Sequence, residues 1–104
     1  MKNILVLCTI NDKVKAENIA AELIKAKLAA CINIIPSVNS IYEWKGEICK
    51  DNEFLMLIKS SEKLFEDLKN LITSLHPYEV PEIISFEITD GNKSYLDWLN
   101  SNLK

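Results

Sequence analysis

Residues Ile4-Leu5-Val6-Leu7-Cys8-Thr9-Ile10 form a continuous run of apolar and β-favouring side chains. A run of that length without polar alternation reads as a strand buried on both faces. From Lys13 the period changes. Ala16, Ile19, Ala20, Leu23, Ile24 and Leu28 recur at helical spacing, with Lys15, Glu17, Glu22 and Lys25 off the stripe. This predicts a helix over Lys13–Leu28, with Asn11 or Asp12 as its N-cap. Cys31–Ile35 starts a second strand, Pro36 interrupts it, and Ser40–Trp44 resumes it with alternation. Lys45-Gly46 is a turn signal, and a third strand is predicted from about Glu47 to Lys59. Leu64, Phe65, Leu68, Leu71, Ile72 and Leu75 then make a second helical stripe. That helix is expected to be capped by Ser60 or Ser61 and ended by His76-Pro77, because proline disfavours helix in the residue before it. Glu82–Ile88 is the fourth predicted strand. After the Gly91-Asn92 break, Tyr95, Leu96, Trp98, Leu99 and Leu103 suit a short terminal helix.

The predicted order β-α-β-β-α-β-α is the split-βαβ, ferredoxin-like plan with one added helix, an α+β fold. It implies an antiparallel sheet ordered 4-1-3-2 and a single domain over residues 1–104. Helices would cover one face of that sheet. The two central strands nevertheless carry apolar residues on both faces: Leu5 and Leu7 oppose Ile4, Val6 and Cys8, and Leu55 and Leu57 oppose Phe54, Met56 and Ile58. A ten-residue terminal helix covers only part of such a face. Contiguous exposed apolar patches are rare on monomers, so neighbouring subunits are the expected cover. A second strand reaching from Ile32 to Lys45 spans roughly 45 Å at ~3.3 Å per residue, so the hairpin it makes with the third strand overhangs the body. Such an edge, with Tyr42 and Trp44 on one face, invites pairing with another chain. Tyr42, Trp44 and Trp98 are the expected interface anchors.

Composition narrows the function. The chain has 104 residues and a net charge of −3, and all twelve basic residues are lysine. Without arginine, the usual bidentate reader of phosphate and guanine, a nucleic-acid surface is not expected. The outward positions of strands 1 and 3 are aliphatic where an RNA-recognition module needs basic and aromatic residues. Three separated cysteines, Cys8, Cys31 and Cys49, show no CxxC pair. That excludes a CxxC metallochaperone and reads as reduced thiols in the cytoplasm. No stretch reaches the length of a membrane span.

Several segments together are specific: Lys27-Leu28-Ala29-Ala30-Cys31-Ile32-Asn33-Ile34-Ile35-Pro36, Ser40-Ile41-Tyr42-Glu43-Trp44-Lys45-Gly46, His76-Pro77-Tyr78-Glu79-Val80-Pro81-Glu82 and Tyr95-Leu96-Asp97-Trp98, with Leu7-Cys8-Thr9 and Leu57-Ile58-Lys59. In order and over essentially the whole chain, they resemble the CutA divalent-ion-tolerance family. The resemblance implies a cytoplasmic homotrimer with the architecture of PII signalling proteins, a link to divalent metal tolerance, copper binding and no established reaction. Two positions depart from the family pattern. Ser37 stands where glycine is frequent, and Leu75 stands where some members carry a second histidine.

Strand adjacency suggests where chemistry would lie. The end of strand 1 neighbours the start of strand 4, so Cys8 is expected near Glu82, with His76 a few residues upstream. Thiolate, imidazole and carboxylate suit copper, and less readily zinc. On this reading Cys8, His76 and Glu82 are the candidate metal ligands of an inter-subunit cleft. The plainer reading makes Cys8 a small buried hydrophobe and His76 a helix-terminal donor. Cys31, Lys59 and Tyr78 are expected to line a cleft for that metal or for an unidentified small molecule, although Cys31, like Cys49, also fits simple strand packing. No nucleophile stands beside a base, so a binding protein is favoured over an enzyme. An active site at a subunit interface is the alternative.

Overall fold

The computed structural model describes residues 2–104. Strands β1 (Asn3–Ile10), β2 (Cys31–Trp44), β3 (Glu47–Ser61) and β4 (Ile83–Glu87) form one antiparallel sheet in the order β2-β3-β1-β4. This is the expected ferredoxin-like order. Helices α1 (Lys13–Lys25) and α2 (Phe65–Leu75) pack on one face, and α3 (Lys93–Ser101) closes the chain.

The helix ends follow local chemistry. Asp12 caps α1 by accepting the Lys15 amide at 3.0 Å. The helix stops at Lys25, three residues before the apolar stripe does. Leu28 N–H bonds Leu23 C=O and Lys27 N–H bonds Ile24 C=O, both at 3.0 Å, with Lys27 at φ 59°. This is a Schellman ending with lysine at the left-handed position, and it turns Leu28 back into the core. The expected serine cap of α2 is not made. Ser60 donates to Leu28 C=O at 2.6 Å instead, the Ser61 hydroxyl has no partner among the described residues, and a 3-10 turn over Glu62–Leu64 leads into the helix. Asn92 caps α3 by accepting Ser94 N–H.

The sheet alternates two kinds of face. Ile4, Val6, Cys8, Ile10, Met56 and Ile58 point toward Ala16, Ile19 and Leu23 of α1 and Leu68 and Ile72 of α2, and all of them are buried. The opposite face carries three registered rows: Phe86–Leu5–Lys59–Cys31, Ile84–Leu7–Leu57–Asn33 and Thr9–Leu55–Ile35. Helix α3 packs against β3 and covers one end of this face. There Leu99 is fully buried apart from the main core, and Asn100 accepts a bond from Asn3 at 2.7 Å. The rest stays open, with Phe86 51% and Ile84 45% exposed.

A bulge divides β2. Ile35 pairs with Leu55 and Val38 with Glu53, so Pro36 and Ser37 together oppose Phe54. Ser37 adopts φ 64°. Two residues against one invert the alternation. Odd-numbered β2 residues therefore face the open side before the bulge, and Ser40, Tyr42 and Trp44 face it afterwards. Beyond the bulge the β2–β3 hairpin runs out from the body, and the chain as a whole measures 45 × 25 × 22 Å. The radius of gyration, 14.2 Å, exceeds the ~13 Å expected of a compact chain this long.

Candidate functional site

The segment from His76 to Glu82 is held by bonds that its sequence makes possible. Pro77 forces His76 out of helical backbone, to φ −79°, ψ 137°, while the His76 amide still bonds Ile72 C=O at 2.8 Å. The imidazole then turns inward. Its Nε2–H donates to Thr9 C=O at 2.8 Å, and its Nδ1 accepts the Tyr78 amide at 3.1 Å. These two bonds assign the neutral Nε2–H tautomer. Burial lowers the His76 pKa, against weaker upward pulls from the Thr9 carbonyl and Glu53. The Tyr78 ring meets the imidazole edge-on at 4.6 Å, and its hydroxyl donates to Glu53 Oε2. Glu53 is a carboxylate only 5% exposed on the open face. Burial, and then Glu53, raise the Tyr78 pKa.

Between this loop, the end of β1 and the root of the hairpin lies an open depression of about 710 Å³. Thr9, Asn11, Tyr42, Trp44, Tyr78 and Val80 line it together with four carboxylates, Asp51, Glu53, Glu79 and Glu82, and among the described residues no lysine does. Tyr42 donates its hydroxyl to Asp51, a bond that pushes its pKa up to about 12. The depression therefore concentrates negative charge on oxygen donors beside two tyrosines and a tryptophan.

The expected metal trio does not assemble within one chain. Cys8 shares the parity of Val6 and Ile10 and is fully buried under the helices. Burial first, then Glu82 and Glu53, push its thiol up to about 12. Glu82 lies one residue beyond the Cys8–Ile83 pair and so alternates to the open face, in the depression. Both His76 nitrogens are already bonded. Among the described residues no three His, Cys, Asp or Glu side chains converge on a point that could hold a metal. Adjacent strands brought the three close in register, but alternation sent the thiol and the carboxylate to opposite faces.

The expected ligand cleft divides as well. Cys31 and Lys59 are a cross-strand pair, with Lys59 Nζ 3.8 Å from Cys31 Sγ. Tyr78 bonds Glu53, six positions along β3, roughly 20 Å away at ~3.3 Å per residue. Of the expected anchors, Tyr42 and Trp44 rim the depression, and Trp98 is 48% exposed beside Tyr95, ring centroids 5.7 Å apart. Sequence reading missed Asp51, Glu53 and Glu79. The signal was there in part: Asp51 and Glu53 recur at period two in β3, and Glu79 sits inside the His76–Glu82 motif.

Comparison with known proteins is consistent across sequence and structure. The family profile described as CutA1 divalent ion tolerance protein matches residues 4–102. The divalent-cation tolerance protein CutA of Thermus thermophilus is 46% identical over 98 residues, 94% of this chain and 95% of that protein. Human protein CutA is 47% identical over 89 residues, 86% of this chain but 49% of its own length, so the chain spans about half of that relative. The solved structure of the Thermus protein superposes with a TM-score of 0.95 at 44% identity, covering 98% of this chain and 99% of its own. A structure from Archaeoglobus fulgidus, described as a periplasmic divalent cation tolerance protein CutA, gives 0.95 at 32% identity over 98% and 99% of the two chains.

Proposed function

The chain belongs to the CutA1 divalent ion tolerance family, and from that membership and the geometry above we propose that it acts as a homotrimeric divalent-cation-binding protein. Each subunit is one domain. Trimers of this kind would share the architecture of PII signalling proteins, with ligand clefts between subunits. The uncovered apolar face is the observation that carries the reading. Leu5, Leu7, Leu55 and Leu57 run unbroken across two central strands and continue into exposed Ile84 and Phe86. A soluble subunit hides such a surface by association. Tyr42, Trp44 and Trp98 lie on or beside that surface and would enter the contact.

The cation would meet the depression at the edge of the same face. Its carboxylates, Asp51, Glu53 and Glu82 foremost, offer oxygen donors that fit a divalent ion. They do not converge in one chain, so a neighbouring subunit would complete the set. Copper, with zinc second, is the ion we favour because the family resemblance implies it; the oxygen set by itself also suits harder cations. The buried Cys8 thiol and the doubly bonded His76 are supports behind the site on this geometry, and Glu82 is the member of the expected trio placed to touch the ion. Ion binding is the proposed basis of tolerance, and no catalytic step is needed. We place the protein in the cytoplasm on its unpaired cysteines; among the described residues no helix is long and apolar enough to cross a membrane.

Sedimentation velocity joined to copper calorimetry tests this. A trimer at micromolar concentration, with copper affinity reduced at least tenfold in Glu53→Gln, Glu82→Gln, is expected. A stable monomer, or no binding tighter than about millimolar, overturns it.

A further inference from the structure

At the far end of the open face from the carboxylates, a thiol, an amine and a phenol meet. Cys31 and Lys59 are register partners on β2 and β3, so the ladder fixes their approach. Lys59 Nζ lies 3.8 Å from Cys31 Sγ and donates to Asn33 Oδ1 from the same side. Lys59 enters no ion pair among the described residues, so no carboxylate competes for its nitrogen. Tyr95 of α3 adjoins the Cys31 thiol; its pKa is raised by burial first and then by that thiol. Both Cys31 and Lys59 stay partly exposed. The other cysteines lack this setting. Cys8 is sealed in the core, and among the described residues Cys49 bonds only the Glu47 carbonyl, at 3.8 Å.

We propose that Cys31 and Lys59 are an oxidant-responsive pair that closes a reversible sulfur–nitrogen cross-link between β2 and β3. A hydroperoxide is the oxidant. The Cys31 thiolate attacks one peroxide oxygen, the O–O bond breaks, and the sulfur becomes a sulfenic acid while hydrogen peroxide is reduced to water. The neutral fraction of the Lys59 amine then attacks that sulfur. The S–O bond breaks, a second water leaves with the amine proton, and a sulfenamide remains. The chain loses two hydrogens in all. A low-molecular-weight thiol reverses the step: it attacks the sulfur, the S–N bond breaks, the amine regains its proton, and a second thiol frees Cys31 from the mixed disulfide. A nitrogen nucleophile this near intercepts the sulfenic acid before further peroxide carries it to the irreversible acids. The inference stands apart from cation binding and needs no residue of the depression; it requires the β2 edge at Cys31 to stay outside the proposed subunit contact.

Limited hydrogen peroxide treatment of the full chain carrying Cys49→Ser, followed by intact mass and tryptic mapping, tests it. Two lost hydrogens per monomer are expected without reductant, with no gain of oxygen. Trypsin should no longer cut after Lys59 in that fraction, and the peptide holding Cys31 should stay joined to the one holding Lys59 until dithiothreitol separates them. Lys59→Arg should abolish the joined peptide and let Cys31 run on to sulfinic acid. Oxidised Cys31 with Lys59 still cleaved, a Cys31–Cys31 dimer, or an unchanged mass loss in Lys59→Arg would overturn the proposal. The map of the parent decides alone if Lys59→Arg does not fold.

Discussion

His76 is the clamp on the loop that walls the depression, and its removal has a size that the geometry sets. The residue is 8% exposed and makes two bonds, to Thr9 C=O at 2.8 Å and from Tyr78 N–H at 3.1 Å. His76→Ala leaves both backbone groups without these partners. An unmade bond of this kind costs ~1–3 kcal/mol. The loop is at the surface and lets water replace some of the loss, so ~2–4 kcal/mol in total is expected. His76→Asn keeps an acceptor near the Nδ1 position and His76→Gln a donor near Nε2, so each should lose about half of that. Urea unfolding at fixed protein concentration gives the stabilities, and amide exchange at Tyr78 locates the effect. Acid should act on the same bonds. The folded-state pKa lies below the ordinary 6.5, chiefly through burial. The neutral ring is therefore the stabilising form: its contribution is fully present above pH 6.5 and is lost as pH falls through the folded value. A protonated Nδ1 would also point a proton at the Tyr78 amide. Wild-type stability should fall on acidification below pH 6.5, and that part of the slope should vanish in His76→Asn and His76→Gln. A His76→Ala loss under about 0.5 kcal/mol, the level of a surface change, or identical acid slopes in all four proteins, would refute the clamp.

Other changes should follow the same physics. Tyr78 has its pKa raised by burial and then by Glu53, so its contribution is present below its unfolded value near 10 and lost as pH rises through the folded one; alkaline titration should destabilise the parent more steeply than Tyr78→Phe. Ser37 and Lys27 hold φ 64° and 59°, and glycine at either should raise stability by up to ~1 kcal/mol in thermal unfolding, because a side chain there is strained. Phe86→Glu places a charge on the open apolar face, and sedimentation should show smaller species than the parent at equal concentration.

Much of the fold was legible because the chain marks its elements plainly. The β1 run, the two helical stripes and the Lys45-Gly46 turn gave the element order, and the sheet order followed from the plan. Boundaries slipped where backbone bonds decided them. The α1 stripe runs on to Leu28, but a left-handed Lys27 ends the helix earlier, and nothing in the side chain of a lysine announces that conformation. Ser60 looked like a helix cap and instead ties β3 to Leu28. Candidate site residues were harder. Adjacency along the ladder was foreseen correctly for Cys8 and the start of β4, yet distance along a strand says nothing about face, and one step of alternation separates the Cys8 thiol from the Glu82 carboxylate.

The bulge at Pro36-Ser37 explains how two aromatic side chains come to stand over the carboxylates. Continued without it, the alternation of Ile32 and Ile34 would carry Tyr42 and Trp44 to the helix side of the sheet. The extra residue inverts the parity and pairs Ser40, Tyr42 and Trp44 with Asp51, Cys49 and Glu47 on the open side. Asp51 and Glu53 share a face with Thr9 through the regular alternation of β3, and the His76–Glu82 loop, fixed to Thr9 by the imidazole, brings Tyr78 and Glu82 to the same place. The end of β1, Asp51 and Glu53 of β3 and the loop meet without β2, and the one unpaired residue of the bulge turns Tyr42 and Trp44 toward them. A left-handed serine is a small local strain, and what it sets is the orientation of every side chain from Val38 to the hairpin tip.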